Sequence, residues 1–133
     1  MVGVPRPGTL ARPPMLADAR PTVLVVDDAA DMRAYIRGCL GTGFSVAEAA
    51  SGDEALRLAR ADVPALVVTD LRMPGLDGLA LCAALHADPA TATVPVLLVS
   101  GEPPAPSACI DGFLAKPFNA TGLRAAVAVL VPP

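Results

Sequence analysis

Residues 22–28 read TVLVVDD, a short apolar run rich in β-branched residues that ends on two adjacent carboxylates. With no polar alternation and too few residues for an ordinary helix, such a run suits a strand buried on both faces, as in a parallel sheet covered by helices. Working outward, the pattern recurs in ALVVT (65–69) and VPVLLVS (94–100), with shorter strand candidates in FSVAEA (44–49) and GFLAK (112–116). Helical patterns lie between and after them, in DMRAYIRGCL (31–40), DEALRLAR (53–60), GLALCAALHA (78–87) and ATGLRAAVAVL (120–130). Asp31 is expected to cap the first helix, with Gly41 and Gly43 following it. Ser51 or Asp53 caps the second, and Gly78 opens the third. Alternation of this kind implies right-handed crossovers and an α/β fold, an open, doubly wound, five-stranded parallel sheet.

The composition fits one such domain. The chain has 133 residues, 53% hydrophobic and 17% charged, so it buries a large apolar fraction and is not a disordered chain. Aromatics are only 3%, which leaves Ala, Val and Leu to build the core. A net charge of −3 argues against nucleic-acid binding, which needs a basic face. No run approaches the roughly 18 apolar residues that cross a bilayer, so no membrane role is expected and the expected location is the cytoplasm. Residues 1–20, MVGVPRPGTLARPPMLADAR, hold four prolines, three arginines and one acid, and read as an extended, mostly disordered tail before a domain at 21–131. Met15 is a second candidate start of translation.

Cys39, Cys82 and Cys109 are odd in number and far apart, and no pair has metal-ligand spacing. His86, the one histidine, has no ligand partner nearby in sequence. The expectation is three free thiols in a reducing compartment.

In sheets of this type, ligands bind outside the carboxyl ends of the strands. The residues there are Asp27 and Asp28 after the first run, Asp70 after the third, Ser100 at the end of the fourth and Lys116 after the fifth. Three crowded carboxylates repel one another and stay ionised only when a cation neutralises them. Hard oxygen donors point to Mg²⁺, which takes one or two carboxylates and keeps waters or phosphate oxygens. The sequence has no GxxxxGK[ST] loop and no GxGxxG, so a nucleotide is not the obvious ligand. A carboxylate beside such a cation, facing a hydroxyl and an ammonium, is placed to act as a nucleophile on phosphorus. Nine of the ten basic residues are Arg; the one lysine is Lys116.

Over about residues 21–131 the sequence resembles a response regulator receiver domain of the stand-alone, chemotaxis-regulator-like kind. The blocks that carry the resemblance are VLVVDD (23–28), VVTDLRMPGLDGL (67–79), VLLVSG (96–101) and FLAKPF (113–118), in order. It implies a flavodoxin-like fold and two-component phosphorelay signalling, with Asp70 as phospho-acceptor. Asp27, Asp28 and Asp70, with the backbone carbonyl of Arg72, would hold Mg²⁺. Ser100 matches the switch hydroxyl, Lys116 the phosphate-binding lysine, Phe113 the aromatic switch position and Pro117 a proline whose preceding peptide bond is cis. The implied partner is a histidine kinase or a histidine phosphotransfer protein, docking on helix 31–40 with Met32 and Tyr35 as candidate contacts. The downstream protein target and the oligomeric state are not specified. Such a domain is a switch that assists its own phosphoryl transfer and hydrolysis, not a conventional enzyme. With no effector sequence after residue 131, output is expected through protein–protein contact.

Two departures stand out. Only sixteen steps separate Ser100 from Lys116, where a helix, a strand and two connections need roughly 24 residues. The stretch GEPPAPSACIDG (101–112) carries three prolines, so the helix between the last two strands is expected to be one or two turns at most, or absent. Arg72 and Glu102 stand two residues after Asp70 and Ser100, positions whose side chains, as the resemblance implies, flank the line of water attack on a phosphoryl group. As a pair they would gate dephosphorylation. Two other readings stay open. One is a haloacid-dehalogenase-type phosphatase, which wants an acid two residues after its nucleophile where this chain has Arg72 or Ala29. The other is a receiver-like interaction module that works without phosphorylation.

Overall fold

In a computed structural model, which describes residues 20–105 and 109–131, the chain forms a five-stranded, wholly parallel sheet with four helices. The elements are β1 (Thr22–Val26), α1 (Ala30–Leu40), β2 (Ser45–Ala49), α2 (Gly52–Ala61), β3 (Leu66–Asp70), α3 (Gly78–Ala87), β4 (Val96–Ser100), β5 (Gly112–Ala115) and α4 (Ala120–Leu130). A single 3₁₀ turn, Gly41–Gly43, closes α1. The strand order is β2-β1-β3-β4-β5, so the chain steps from β1 to one side and then returns past it. That reversal, between β1 and β3, is where a doubly wound sheet opens a crevice. The expected tail at 1–20 lies, apart from Arg20, outside the described residues.

Strand alternation divides the core in two. Leu24, Val26, Val67 and Val96 face α2 and α3, packing with Ala55, Ala59, Leu81 and Leu85. Val23, Val25, Val68, Leu97 and Val99 face the other way, against Ile36, Leu40, Leu123 and Val127 of α1 and α4. All of these strand residues are buried, which explains why the runs carry no polar alternation. In register, Val26 lies beside both Ala49 and Thr69, Asp70 beside Val99, and Ser100 beside Ala115, so the carboxyl ends form one rim.

No helix forms between β4 and β5 among the described residues, as the prolines and the short spacing predict. The face of β4 and β5 that such a helix would cover is closed in part by Ile110, which packs on the α2–α3 core. Phe113, in register with Leu98, is left 37% exposed. One expected cap is corrected. Asp31 sits in the first turn of α1, and the N-cap is Ala29, with no side-chain bond. Asp27 Oδ1 accepts from the Ala29 N–H at 2.9 Å, which fixes the turn leading into the helix without capping it. Ser51 does cap α2, accepting from the Glu54 N–H.

Candidate functional site at the carboxyl rim

Asp27 leaves β1 buried, 3% exposed, and its position is held from several sides. Its N–H donates to Ala49 O at 3.1 Å, and its carbonyl accepts from Arg33 Nη1 at 2.8 Å. Arg33 also pairs with Glu48 at 3.0 Å, tying α1 to β2 behind the acid. Asp28, the next residue, is exposed. Asp70, the last residue of β3, completes the set: the three aspartates offer carboxylate oxygens that all lie within 4.8 Å of one another. Burial raises the Asp27 carboxyl above its ordinary value; the Ala29 N–H opposes this, while the nearby Asp70 charge adds to it.

Lys116 reaches across the rim from beyond β5. Its Nζ donates to Asp70 Oδ1 at 3.2 Å and stands 3.9 Å from Asp27 Oδ2. The Leu71 N–H donates to the same Asp70 Oδ1 at 2.9 Å, and no described residue donates to Oδ2. Ser100 is 2% exposed at the end of β4. Its Oγ accepts from the Glu102 N–H at 3.2 Å, which leaves the hydroxyl proton free to donate. The Lys116 N–H donates to Ser100 O at 2.8 Å, so backbone pairing sets the lysine next to the serine. The Lys116–Pro117 peptide bond is cis.

Asp70, Arg72, Ser100, Gly101, Glu102 and Lys116 line one open cleft. At its mouth the Arg72 guanidinium donates to Glu102 Oε1 through both Nε, at 2.9 Å, and Nη2. This pair raises the Arg72 pKa by stabilising its charged form. Gly78 permits the close approach of α3 to β3, since a Cβ there would meet Asp70 O at 2.3 Å. Asp77 caps α3, accepting from the Ala80 N–H at 2.8 Å, and Gly75 makes the preceding turn at φ 75°.

The structure thus brings Asp27, Asp28, Asp70, Ser100 and Lys116 to one rim and pairs Arg72 with Glu102. Phe113 stands apart, about two strand steps or ~7 Å along the sheet from the level of Ser100. Met32 and Tyr35 line a neighbouring apolar cleft with Pro117 and Phe118, where the Tyr35 hydroxyl donates to Phe118 O at 3.0 Å. The carboxylate donor set suits a hard divalent cation with room for water and phosphate oxygens, and Mg²⁺ fits it.

One reading of the sequence is overturned. Cys82, His86 and Cys109 are not isolated: their Sγ, ring nitrogen and Sγ atoms lie within 4.8 Å of one another. Cys82 and His86 are four residues apart, one helical turn on α3, and that spacing was the available signal. Cys109 arrives only through the loop between β4 and β5.

A family profile for the response regulator receiver domain matches residues 23–128. The sensor histidine kinase TmoS of Ectopseudomonas mendocina is 34% identical over 137 aligned residues, covering 98% of this chain and 14% of its own length. The C4-dicarboxylate transport transcriptional regulatory protein DctD of Rhizobium meliloti is 42% identical over 113 residues, 79% of this chain and 24% of its own length. The chain spans less than a quarter of the length of either relative. Among solved structures, chemotaxis protein CheY4 of Vibrio cholerae matches with a TM-score of 0.78 and 28% identity, over 84% of this chain and 99% of that one. Among the described residues, no helix is long and apolar enough to cross a membrane.

Proposed function

The chain belongs to the response regulator receiver domain family, and from that premise we propose that it accepts a phosphoryl group on Asp70 from a phosphohistidine, with Mg²⁺ held at Asp27, Asp28 and Asp70. The observation that carries this reading is the position of Lys116 Nζ between Asp70 and Asp27, with Asp28 beside them, at the topological switch of the sheet.

Asp70 Oδ1 is occupied by Leu71 N–H and Lys116, so Oδ2 is the oxygen that attacks phosphorus. The new O–P bond forms as the P–N bond to the donor histidine breaks, and the imidazole leaves with the electron pair. Lys116 and the Ser100 hydroxyl then meet the phosphoryl oxygens, the first as a compact charge and the second as a donor. Mg²⁺, when bound, supplies charge neutralisation between the carboxylates and the incoming phosphoryl group. The Arg72 carbonyl is its expected backbone ligand. Arg72 and Glu102, paired over the cleft, obstruct the water that would hydrolyse the acyl phosphate. Phe113, 37% exposed on β5, is the aromatic switch position through which the change would reach the surface.

The donor is a histidine kinase or histidine phosphotransfer protein docking beside α1, where Met32 and Tyr35 stand near Lys116. Output passes through protein–protein contact in the cytoplasm. The test is transfer from a phosphohistidine protein: label should move to the wild-type chain only with Mg²⁺, and not to Asp70→Ala. Asp27→Asn should lose the Mg²⁺ dependence along with most of the rate. Folding and partner binding that are the same for wild type and Asp70→Ala, with no label transferred, would favour the phosphorylation-independent module instead.

A further inference from the structure

At the opposite rim of the sheet, we propose that Cys82, His86 and Cys109 form a Zn²⁺ site that pins the loop between β4 and β5 to α3. The cluster lies near Val96, the first residue of β4, four strand steps or ~13 Å from the level of Ser100. It draws on no residue of the acidic rim, so it stands or falls separately from phosphoryl transfer at Asp70.

Three observations carry it. First, the donors converge: Cys109 Sγ is 3.0 Å from Cys82 Sγ, and Cys82 Sγ is 3.7 Å from His86 Nδ1. Second, the histidine is oriented from behind. Its Nε2 lies 3.2 Å from the Val94 carbonyl, which only accepts, so Nε2 carries the proton and Nδ1 turns its lone pair toward the sulfurs. Asp111 Oδ2 stands 3.5 Å from the same Nε2 and is itself fixed by the Val96 N–H at 2.8 Å. A ring nitrogen held by a carbonyl and a carboxylate while the other faces thiols is the outer-shell pattern of a metal-binding histidine. Third, residues 109–111 already lie against α3 and β4. The Cys82 thiol donates to Cys109 O at 3.4 Å, the Asp111 N–H donates to Val96 O at 3.0 Å, and Ile110 packs on the core, so Cys109 is presented to Cys82 by its own backbone.

The chemistry selects the ion. Two thiolates and an imidazole favour a borderline-soft, tetrahedral cation, and two thiolates balance the charge of Zn²⁺. Tetrahedral bonds of ~2.3 Å place sulfurs about 3.8 Å apart, so Cys109 must withdraw by roughly 0.8 Å. It is the exposed member of the pair, on a loop, and has room to do so. The Sγ–Nδ1 separation already suits the geometry. Water takes the fourth position from the exposed side. Binding releases both thiol protons, that of Cys82 being held tightly by burial.

The test titrates the full-length chain, reduced with a phosphine and stripped of metal, with Co²⁺ and then Zn²⁺. With excess Mg²⁺ present to occupy the acidic rim, the expected result is one thiolate-bound Co²⁺ per chain with thiolate-to-cobalt charge-transfer absorption and tetrahedral visible bands, displaced by Zn²⁺. Cys109→Ser and His86→Gln, both at partly or fully exposed positions, should weaken binding by more than the roughly 10–100-fold that loss of an outer-shell partner costs. Asp70→Ala and Asp28→Ala should bind Zn²⁺ as the wild type does, and hydrogen exchange at residues 109–111 should slow on binding. Absence of the charge-transfer band, unchanged affinity in Cys109→Ser, or loss of binding in Asp70→Ala would overturn the site. So would a Cys82–Cys109 disulfide that forms in air despite saturating Zn²⁺, seen as loss of two hydrogens by mass.

Discussion

Lys116 Nζ stands 3.2 Å from Asp70 Oδ1, reaching over β4 to join the end of β5 to the end of β3. In a chain that otherwise uses only arginine, the one lysine meets the Asp70 carboxylate, and under the proposed function it would then meet a phosphoryl oxygen. Lys116→Arg keeps the charge but replaces a rotatable point donor with a planar fork. It should fold normally by circular dichroism and accept phosphoryl groups roughly 100-fold more slowly, as when one positioned donor is lost from a reacting site. Equal rates for the two proteins would show that Lys116 only balances charge.

Gly78 is the seam between α3 and β3. A methyl group there would stand 2.3 Å from Asp70 O and 3.0 Å from Leu71 Cα, both backbone atoms that cannot swing aside. Gly78→Ala should cost about 1–3 kcal/mol in a urea melt, as overpacking does, and should slow phosphorylation as well by displacing Asp70. A variant of unchanged stability would mean that α3 is free to slide.

Much of this was legible beforehand, and the limits have physical causes. Buried parallel strands must be continuously apolar, so TVLVV, LVV and VLLV located the sheet, and the residues after them located the rim. Three prolines within twelve residues and a short spacing announced the missing helix. Asp31 is not the cap because the helix begins one residue before it, at Ala30, which puts Asp31 inside the first turn, where its charge suits the helix N-terminus. The full Cys82–His86–Cys109 cluster is not legible in the sequence because Cys109 lies 27 residues from Cys82, and no local period reveals a contact of that range.

Glu48 gives the fold a pH signature outside the acidic rim. Its hydrogen bond from Arg37 lowers its carboxyl below the ordinary 4.5, with Arg33 adding to this against some desolvation. The stabilisation is therefore complete above pH 4.5 and is lost as pH falls through the lower folded-state value. Between pH 6 and pH 3, Glu48→Gln should lose less stability than the wild type in denaturant titrations. Parallel pH profiles would show that the two arginines do not stabilise the ionised form.

Arg72 and Glu102 are exposed, with side chains 74% and 52% accessible, so their pairing adds little to folding. Either alanine variant should melt within about 0.5 kcal/mol of wild type. If the pair hinders water, each should shorten the acyl-phosphate lifetime by up to roughly fivefold, the equivalent of about 1 kcal/mol. The double variant should match the singles, because either change opens the gate. Lifetimes measured by phosphate release that stay constant across all four proteins would remove the gate from the account.

Intact mass after incubation with acetyl phosphate and Mg²⁺ tests Asp70 as the phospho-acceptor most directly. The wild type should gain one phosphoryl group, labile to base and hydroxylamine, that disappears with chelator and is absent from Asp70→Ala. A wild-type chain that stays unmodified while folded, or an adduct that persists in Asp70→Ala, would contradict that role.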